Sequence, residues 1–185
     1  MKNLQTLVNA AIVASVLTIS GTAHAQPSKP NPEAQPTSVQ LQILKASGLK
    51  VAAPFYVPSG FQLDEIQVNA QRNSRIGGLS YLMIYRKFDR ATSQDFCFAI
   101  EATNGGIGDL PSGEKSFPVN NSTYGKTTLE LGKYGAANSS TLLSSWMGSD
   151  RGPFYRFAGA GVNPALNRCR NISPQEAVKV TASIR

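Results

Sequence analysis

Apolar and polar positions alternate along much of the chain, most clearly from Gln94 to Ala102, where Phe96, Phe98 and Ile100 fall on one side and Cys97, Ala99 and Glu101 on the other. A period of two is the pattern of a β-strand. Leu63 to Ala70 and Leu79 to Phe88 read the same way, separated by the polar turn Arg72 to Gly78. Weaker strands are predicted around Phe117 to Val119, Thr127 to Tyr134, Thr141 to Met147 and Phe154 to Ala160, joined by Gly, Asn and Ser turns. Before them, Pro54 to Phe61 holds two prolines and three aromatics and reads as an extended crossing that docks rings on the core.

A helix is predicted at each end of this run. The first spans Ser38 to Ala46, with Thr37 or Ser38 as N-cap after Pro36 and Gly48 as the stop. Val39, Leu41 and Ile43 would also alternate on a strand, so the flanking residues decide the assignment. The second has Ser173 as N-cap, Pro174 at the first helical position and Glu176 in capping-box position. Ala177, Val180, Thr181 and Ile184 then line one mainly apolar face. Strands closed by a helix at each end predict an α+β fold: a curved antiparallel β-sheet of meander type, with a short N-terminal helix and a C-terminal helix packed on it.

The first residues change the setting in which this domain is read. Lys2, an apolar run from Leu7 to Ile19 and the small-x-small triplet Ala23-His24-Ala25 have the order of an export signal, residues 1–25. The run is short and interrupted by Asn9, Ser15 and Thr18, whereas a membrane span takes ~20 consecutive apolar residues. Gln26, not Cys, follows the expected cleavage site, which argues against a lipid anchor. The expectation is a periplasmic or secreted protein with no transmembrane span in its mature form. Residues 26–37, QPSKPNPEAQPT, hold four prolines and no large apolar side chain, and are expected to form an extended linker. Residues 38–185 then make one domain of ordinary size.

Export removes chemistry as well. The single histidine, His24, leaves with the signal, and with it go the usual general base and the commonest zinc ligand. Cys97 and Cys169 are the two cysteines. In an oxidising compartment their simplest state is a disulfide, which over so long a loop is worth about 4 kcal/mol in the entropic account. A redox or nucleophilic thiol, or two separate buried thiols, are the alternatives, and no CxxC spacing favours the first.

The loop Asn104 to Gly113, with Gly105, Gly106, Gly108 and Asp109, lacks both the Lys-Ser/Thr of a phosphate cradle and the tandem spacing of a calcium β-roll. It reads as a mobile hairpin-type loop able to close over a ligand. Asp64, Glu65, Glu101, Glu130 and Asp150 are the carboxylates that acid–base hydrolysis would need. Glu101, on the Cys97 side of its strand, reads first as half of an arginine ion pair or as a plainly exposed side chain. Trp146 reads as a core aromatic.

Eighteen Lys and Arg against eleven Asp and Glu leave the chain basic, at a formal +7. Arg72, Arg75, Arg86, Lys87 and Arg90 cluster around the second and third strands, and Arg151, Arg156, Arg168 and Arg170 near the C-terminus. Were they to converge, they would attract an anionic surface or polymer. Export argues against nucleic acid, and nothing points to a cofactor or a metal.

The run Tyr56-Val57-Pro58-Ser59-Gly60-Phe61, then Trp146, Tyr155-Arg156-Phe157 and the closing Ser173-Pro174-Gln175-Glu176-Ala177 helix ending in Ala182-Ser183-Ile184, resembles exported bacterial domains of unknown function. These occur in some lipoproteins and behind anti-sigma-factor-like segments. Cys97 to Pro111, CFAIEATNGGIGDLP, is similar to uncharacterised exported cyanobacterial proteins. The resemblance implies a curved sheet and an envelope location, and no activity. The sequence therefore leads to a non-catalytic envelope domain that binds an anionic envelope component or a partner protein. A carboxylate-dependent hydrolase of envelope glycan and a purely structural interaction domain are the alternatives.

Overall fold

A computed structural model describes residues 31–185 apart from 47, 70–77, 109, 111, 136, 138 and 150. The expected signal, the first five linker residues, Arg72, Arg75, Asp109 and Asp150 lie outside the described residues. The elements are α1 (Ser38–Ala46), β1 (Gln62–Asn69), β2 (Ser80–Asp89), β3 (Gln94–Thr103), β4 (Lys115–Asn121), β5 (Gly125–Gly132), β6 (Thr141–Ser144), β7 (Met147–Gly148), β8 (Phe154–Gly159) and α2 (Pro174–Ala182). All eight strands join one antiparallel sheet, as the α+β reading expects.

The strand order is β1-β2-β3-β8-β6-β5-β4, with β7 pairing on β8. Two three-stranded meanders, β1-β2-β3 and β4-β5-β6, are thus held together by a late strand inserted between them. β3 pairs with β8 from Phe98↔Gly159 to Thr103↔Phe154, and β6 meets β8 at Leu143↔Ala158. The glycine loop after β3 is consequently no hairpin. β3 and β4 run parallel at separated places in the sheet, so the connection between them crosses one face, where Leu110 packs on the buried layer.

Both faces of the sheet centre are covered, which is why β2 and β3 carry unbroken buried stretches at 81–85 and 97–100. One face presents Tyr81, Met83, Tyr85, Phe98, Ile100, Tyr155 and Phe157 to α1, α2 and the extended segment before β1. Phe98 stacks on Tyr85 and Phe157 at centroid distances of 4.9 and 5.5 Å, and Phe61 tilts onto it at 5.3 Å. The other face presents Leu82, Ile84, Cys97, Ala99, Leu143 and Ala158 to residues 160–169, whose 3-10 turn Pro164–Leu166 buries Leu166.

The caps explain where the helices begin. Thr37 Oγ1 accepts from Gln40 N at 3.3 Å while Gln40 Oε1 accepts from Thr37 N at 2.8 Å, a reciprocal capping box on α1. At α2 only half of the expected box forms. Ser173 Oγ accepts from Glu176 N at 3.2 Å, but the Glu176 carboxylate turns away to accept from Tyr56 Oη and, at 2.8 Å, from Lys179 Nζ. Burial pushes the Glu176 carboxyl up, and those two hydrogen bonds with the Lys179 charge outweigh it and hold the group below its usual range. The same contact helps push the Tyr56 phenol up to about 12, burial being the larger cause. The chain end beyond α2 pairs with residues 53–55 through Ala53 N to Arg185 O and Arg185 N to Ala53 O, both 3.2 Å.

Two further expectations differ in detail. Residues 31–37 fall in the stretch read as linker, yet Pro32–Ala34 forms a 3-10 turn and Ala34 is fully buried. Side-chain amides dock this segment without any large apolar residue: Asn31 Nδ2 donates to Phe61 O at 2.9 Å and Gln35 Nε2 to Pro54 O at 3.3 Å. Trp146 lies between β6 and β7, half-buried rather than in the core, with the Arg156 guanidinium 4.1 Å from its ring centroid.

Candidate functional site

The structure brings Cys97 and Cys169 to disulfide distance, Cα to Cα 5.6 Å, across a sequence separation of 72. Cys97 is fully buried in β3, whereas Cys169, in the loop before α2, is partly exposed. Two backbone hydrogen bonds flank the pair. Cys97 N donates to Arg170 O at 3.0 Å and Arg170 N to Asp95 O at 2.8 Å, so Arg170 bridges in parallel with Phe96 of β3. Next to it, Asn171 Oδ1 accepts from Thr141 Oγ1 at 3.0 Å and from Ala160 N at 2.9 Å. Residues 169–171 are therefore fixed to β3, to the start of β6 and to the end of β8 at once.

This fixed segment forms one wall of a hollow of about 500 Å³. Ser139, Asn167, Arg170 and Asn171 supply polar groups to it, and Ala137, Ala160, Gly161 and Cys169 complete the lining. Its chemistry is that of a hydroxyl, two amides and a guanidinium, a set rich in donors and without a carboxylate. Such a set matches an anionic, oxygen-rich ligand. Of the cations singled out in the sequence, Arg170 is the one that lines this hollow, with exposed Arg168 two positions before it.

The other predicted cations divide into those held within the fold and those left exposed. Arg86 Nε pairs with Asp64 Oδ2 at 2.8 Å, and its Nη2 donates to Ala165 O at 2.7 Å, tying β2 to the loop over the second face. Arg156 Nε pairs with Glu101 Oε2 at 2.7 Å across β8 and β3. Both arginines thus serve the scaffold, which departs from their expected place in a binding cluster; each found a carboxylate on a neighbouring strand. The Lys87 chain runs alongside Gly60. Arg90 is exposed in the β2–β3 turn, at the same sheet end as Arg170, because Asp95, which accepts from Arg170 N, pairs with Phe88 two residues before that turn. Among the described residues Arg90, Arg168 and Arg170 take part in no ion pair.

The described carboxylates do not assemble. Glu101 answers to Arg156, as the ion-pair reading of the sequence expects, and the small hollow beside it is lined by Gln67, Asn69, Ser80 and Asn163 with no second acid among the described residues. Glu130 accepts from Ser116 Oγ at 2.7 Å and Glu114 from Ser140 Oγ at 2.7 Å, both at the exposed β4–β5 side. Among the described residues no three of His, Cys, Asp and Glu come together as a metal site. In the glycine loop, Gly105 N donates to Thr103 Oγ1 at 2.9 Å, and Gly106 and Gly108 are exposed with open space around them.

Sequence reading missed Ser139, Asn167 and Asn171, which come from two loops at one end of the sheet. A local signal existed: Asn167-Arg168-Cys169-Arg170-Asn171 alternates amides and cations around the cysteine. What it lacked was the partner loop. Among the described residues no helix is long and apolar enough to cross a membrane. No protein-family model, curated protein or solved structure matches this chain.

Proposed function

We propose that this chain is an exported envelope domain that binds an anionic envelope component, and that the Arg170 hollow is where it does so. The observation that carries the reading is exposed Arg170, which lines a hollow of about 500 Å³ together with Asn167, Asn171 and Ser139 and takes part in no ion pair among the described residues. Two backbone hydrogen bonds and an adjacent disulfide-distance pair fix the backbone from which Arg170 projects, so the ordering cost of meeting an anion is confined to its side chain. Arginine also suits a planar carboxylate or a phosphate better than lysine would, because its fork donates two parallel bonds. Arg168 and Arg90, exposed at the same end, extend the attraction to a longer anionic chain. The basic balance of the whole sequence and the leader-like residues 1–25 point the same way.

The test is titration calorimetry of the oxidised full chain with oligogalacturonate and, separately, with inorganic phosphate. Binding that weakens with added salt, and that falls about tenfold in Arg170→Gln, is expected for the loss of one charge-assisted hydrogen bond of ~1.5 kcal/mol. Affinity unchanged by Arg170→Gln, or no heat with either probe, would remove the hollow from the account. A second reading, a structural interaction domain, is favoured by α1. That helix buries Leu44 and leaves Val39 and Ile43 exposed one turn apart, at 63% and 54%.

A further inference from the structure

A second hollow, of about 370 Å³, lies at the opposite end of the sheet, and it is assembled from three separate stretches of chain. Lys50 comes from the segment after α1, Thr123 and Tyr124 from the β4–β5 turn, and Gly148, Ser149, Gly152, Pro153 and Tyr155 from β7, β8 and the residues between them. Hydrogen bonds pin all three stretches. Asn121, which is 4% exposed, accepts from Thr123 N and Tyr124 N, both at 2.8 Å, and donates to Thr181 O and Ile184 O, both at 2.9 Å. One buried amide thus fixes the turn that carries Tyr124 to the end of α2. Tyr155 Oη donates to Lys50 O at 2.7 Å, and Ser149 and Gly152 close the hairpin through Gly152 N to Ser149 O at 2.9 Å.

We propose that this hollow binds a pyranose sugar bearing a carboxylate, with Tyr124 as the stacking platform and Lys50 as the anion partner. The half-buried Tyr124 ring is braced by Tyr155 at a centroid distance of 5.3 Å and an angle of 33°, so it offers a fixed flat face. Sugar rings present C–H groups on a face and hydroxyls around the edge. The edge is matched by Thr123 Oγ1 and by Ser149 Oγ, which donates to Gly152 O at 3.3 Å and keeps its acceptor capacity for a sugar hydroxyl. Lys50 is exposed at the rim and unpaired among the described residues, and it adds a point charge where a carboxylate substituent would project. The volume is near the lower end of small-molecule sites, about 300–1,000 Å³, which suits one or two rings.

This site shares no residue with the Arg170 hollow, so the two stand or fall separately. The experiment is ligand titration of the full, oxidised chain followed by NMR, with glucuronate, glucose and inorganic phosphate as probes. Glucuronate is expected to shift the Thr123, Tyr124 and Ser149 amides and to bind more tightly than glucose. Tyr124→Ala should weaken glucuronate about fivefold to tenfold, the range that one aromatic contact supplies. Lys50→Met should cut the preference for glucuronate over glucose by about threefold, as expected of one exposed ion pair. Because Tyr124 also packs on Tyr155, Tyr124→Phe keeps the ring and should bind within about twofold of the parent, reading the platform apart from the fold. Shifts that phosphate reproduces at equal concentration, no shift at these amides with glucuronate, or affinity unchanged in Tyr124→Ala would each overturn the proposal.

Discussion

Tyr81 and Tyr85 stand one above the other on the same face of β2, both buried, and replacing each by Phe is expected to move stability in opposite directions. Tyr81 Oη accepts from Ala52 N at 2.8 Å and donates to Ala52 O at 3.0 Å, satisfying both polar groups of a residue that is 1% exposed. Tyr81→Phe would strand a buried donor and a buried acceptor, at a cost of about 2–4 kcal/mol. The Tyr85 hydroxyl, by contrast, is buried with no hydrogen-bond partner among the described residues, while its ring stacks on Phe98 at an angle of 9°. Tyr85→Phe keeps that stack and removes an unpaired hydroxyl whose burial costs ~1–3 kcal/mol. The void left by one oxygen returns only a few tenths of a kcal/mol at about 24 cal/mol per Å³. The net is a gain of about 1–2 kcal/mol, or roughly 2–6 °C in Tm for a domain of this size. Urea unfolding followed by far-UV circular dichroism, in oxidising buffer so that the cysteine pair is constant, measures both variants against the parent. If Tyr85→Phe destabilises by more than about 0.5 kcal/mol, or both variants fall on the same side of the parent, the assignment of bonded and orphaned hydroxyls is wrong.

Replacing both cysteines by alanine opens a constraint over a separation of 72 residues, and should lower unfolding free energy by about 2–4 kcal/mol. The same variant should weaken oligogalacturonate binding, because residues 169–171 lose their tie to β3; calorimetry on the folded fraction reads this. Asn121→Ala removes four hydrogen bonds at once and should cost about 2–4 kcal/mol in denaturant unfolding, with the Tyr124 turn losing amide-exchange protection first. Stability should also fall in alkali. Burial raises the phenols of Tyr81, Tyr85 and Tyr155, and burial with Glu176 raises Tyr56 to about 12. The unfolded chain releases these protons near pH ~10 while the folded chain retains them, so the stabilisation is complete below ~pH 10 and is lost as pH climbs through the folded values. Urea midpoints that stay level from about pH 9 to 11 would contradict this, and Tyr56→Phe should flatten the slope.

Much of the fold was legible because its signals are local. The alternation of Phe96, Phe98 and Ile100 against Cys97 and Ala99 is observed as two buried faces of β3, and the caps at Thr37 and Ser173 lie where their side chains predict helix starts. The lone cysteine pair also carried its own answer in the absence of competitors. What local pattern could not carry is pairing between distant residues. Nothing around Arg86 or Arg156 foretells that Asp64 and Glu101 will neutralise them, and this is why the basic cluster read from the sequence is thinner on the surface. Glu176 had the right spacing for a reciprocal cap and was claimed by Tyr56, a residue 120 positions away. Asn121 reads as a turn residue in the sequence, and only the meeting of β4 with α2 makes it the post on which the Tyr124 hollow stands.

The place of β8 has a consequence for how the chain reaches this state. A chain cut before Phe154 holds two separate meanders, each with one inner edge, β3 or β6, whose backbone groups lack the partner that β8 supplies. Such open edges are templates for pairing with other chains. The strand that closes them follows both meanders along the chain, and its pairings with β3 join residues about 55 positions apart, as Glu101 and Arg156 are. Long-range pairings of this kind form slowly, since loop closure precedes any gain from contact. The sheet therefore spends its assembly with two adhesive seams exposed, and it is during that interval, more than in the finished molecule, that the protein is most vulnerable to aggregation and proteolysis.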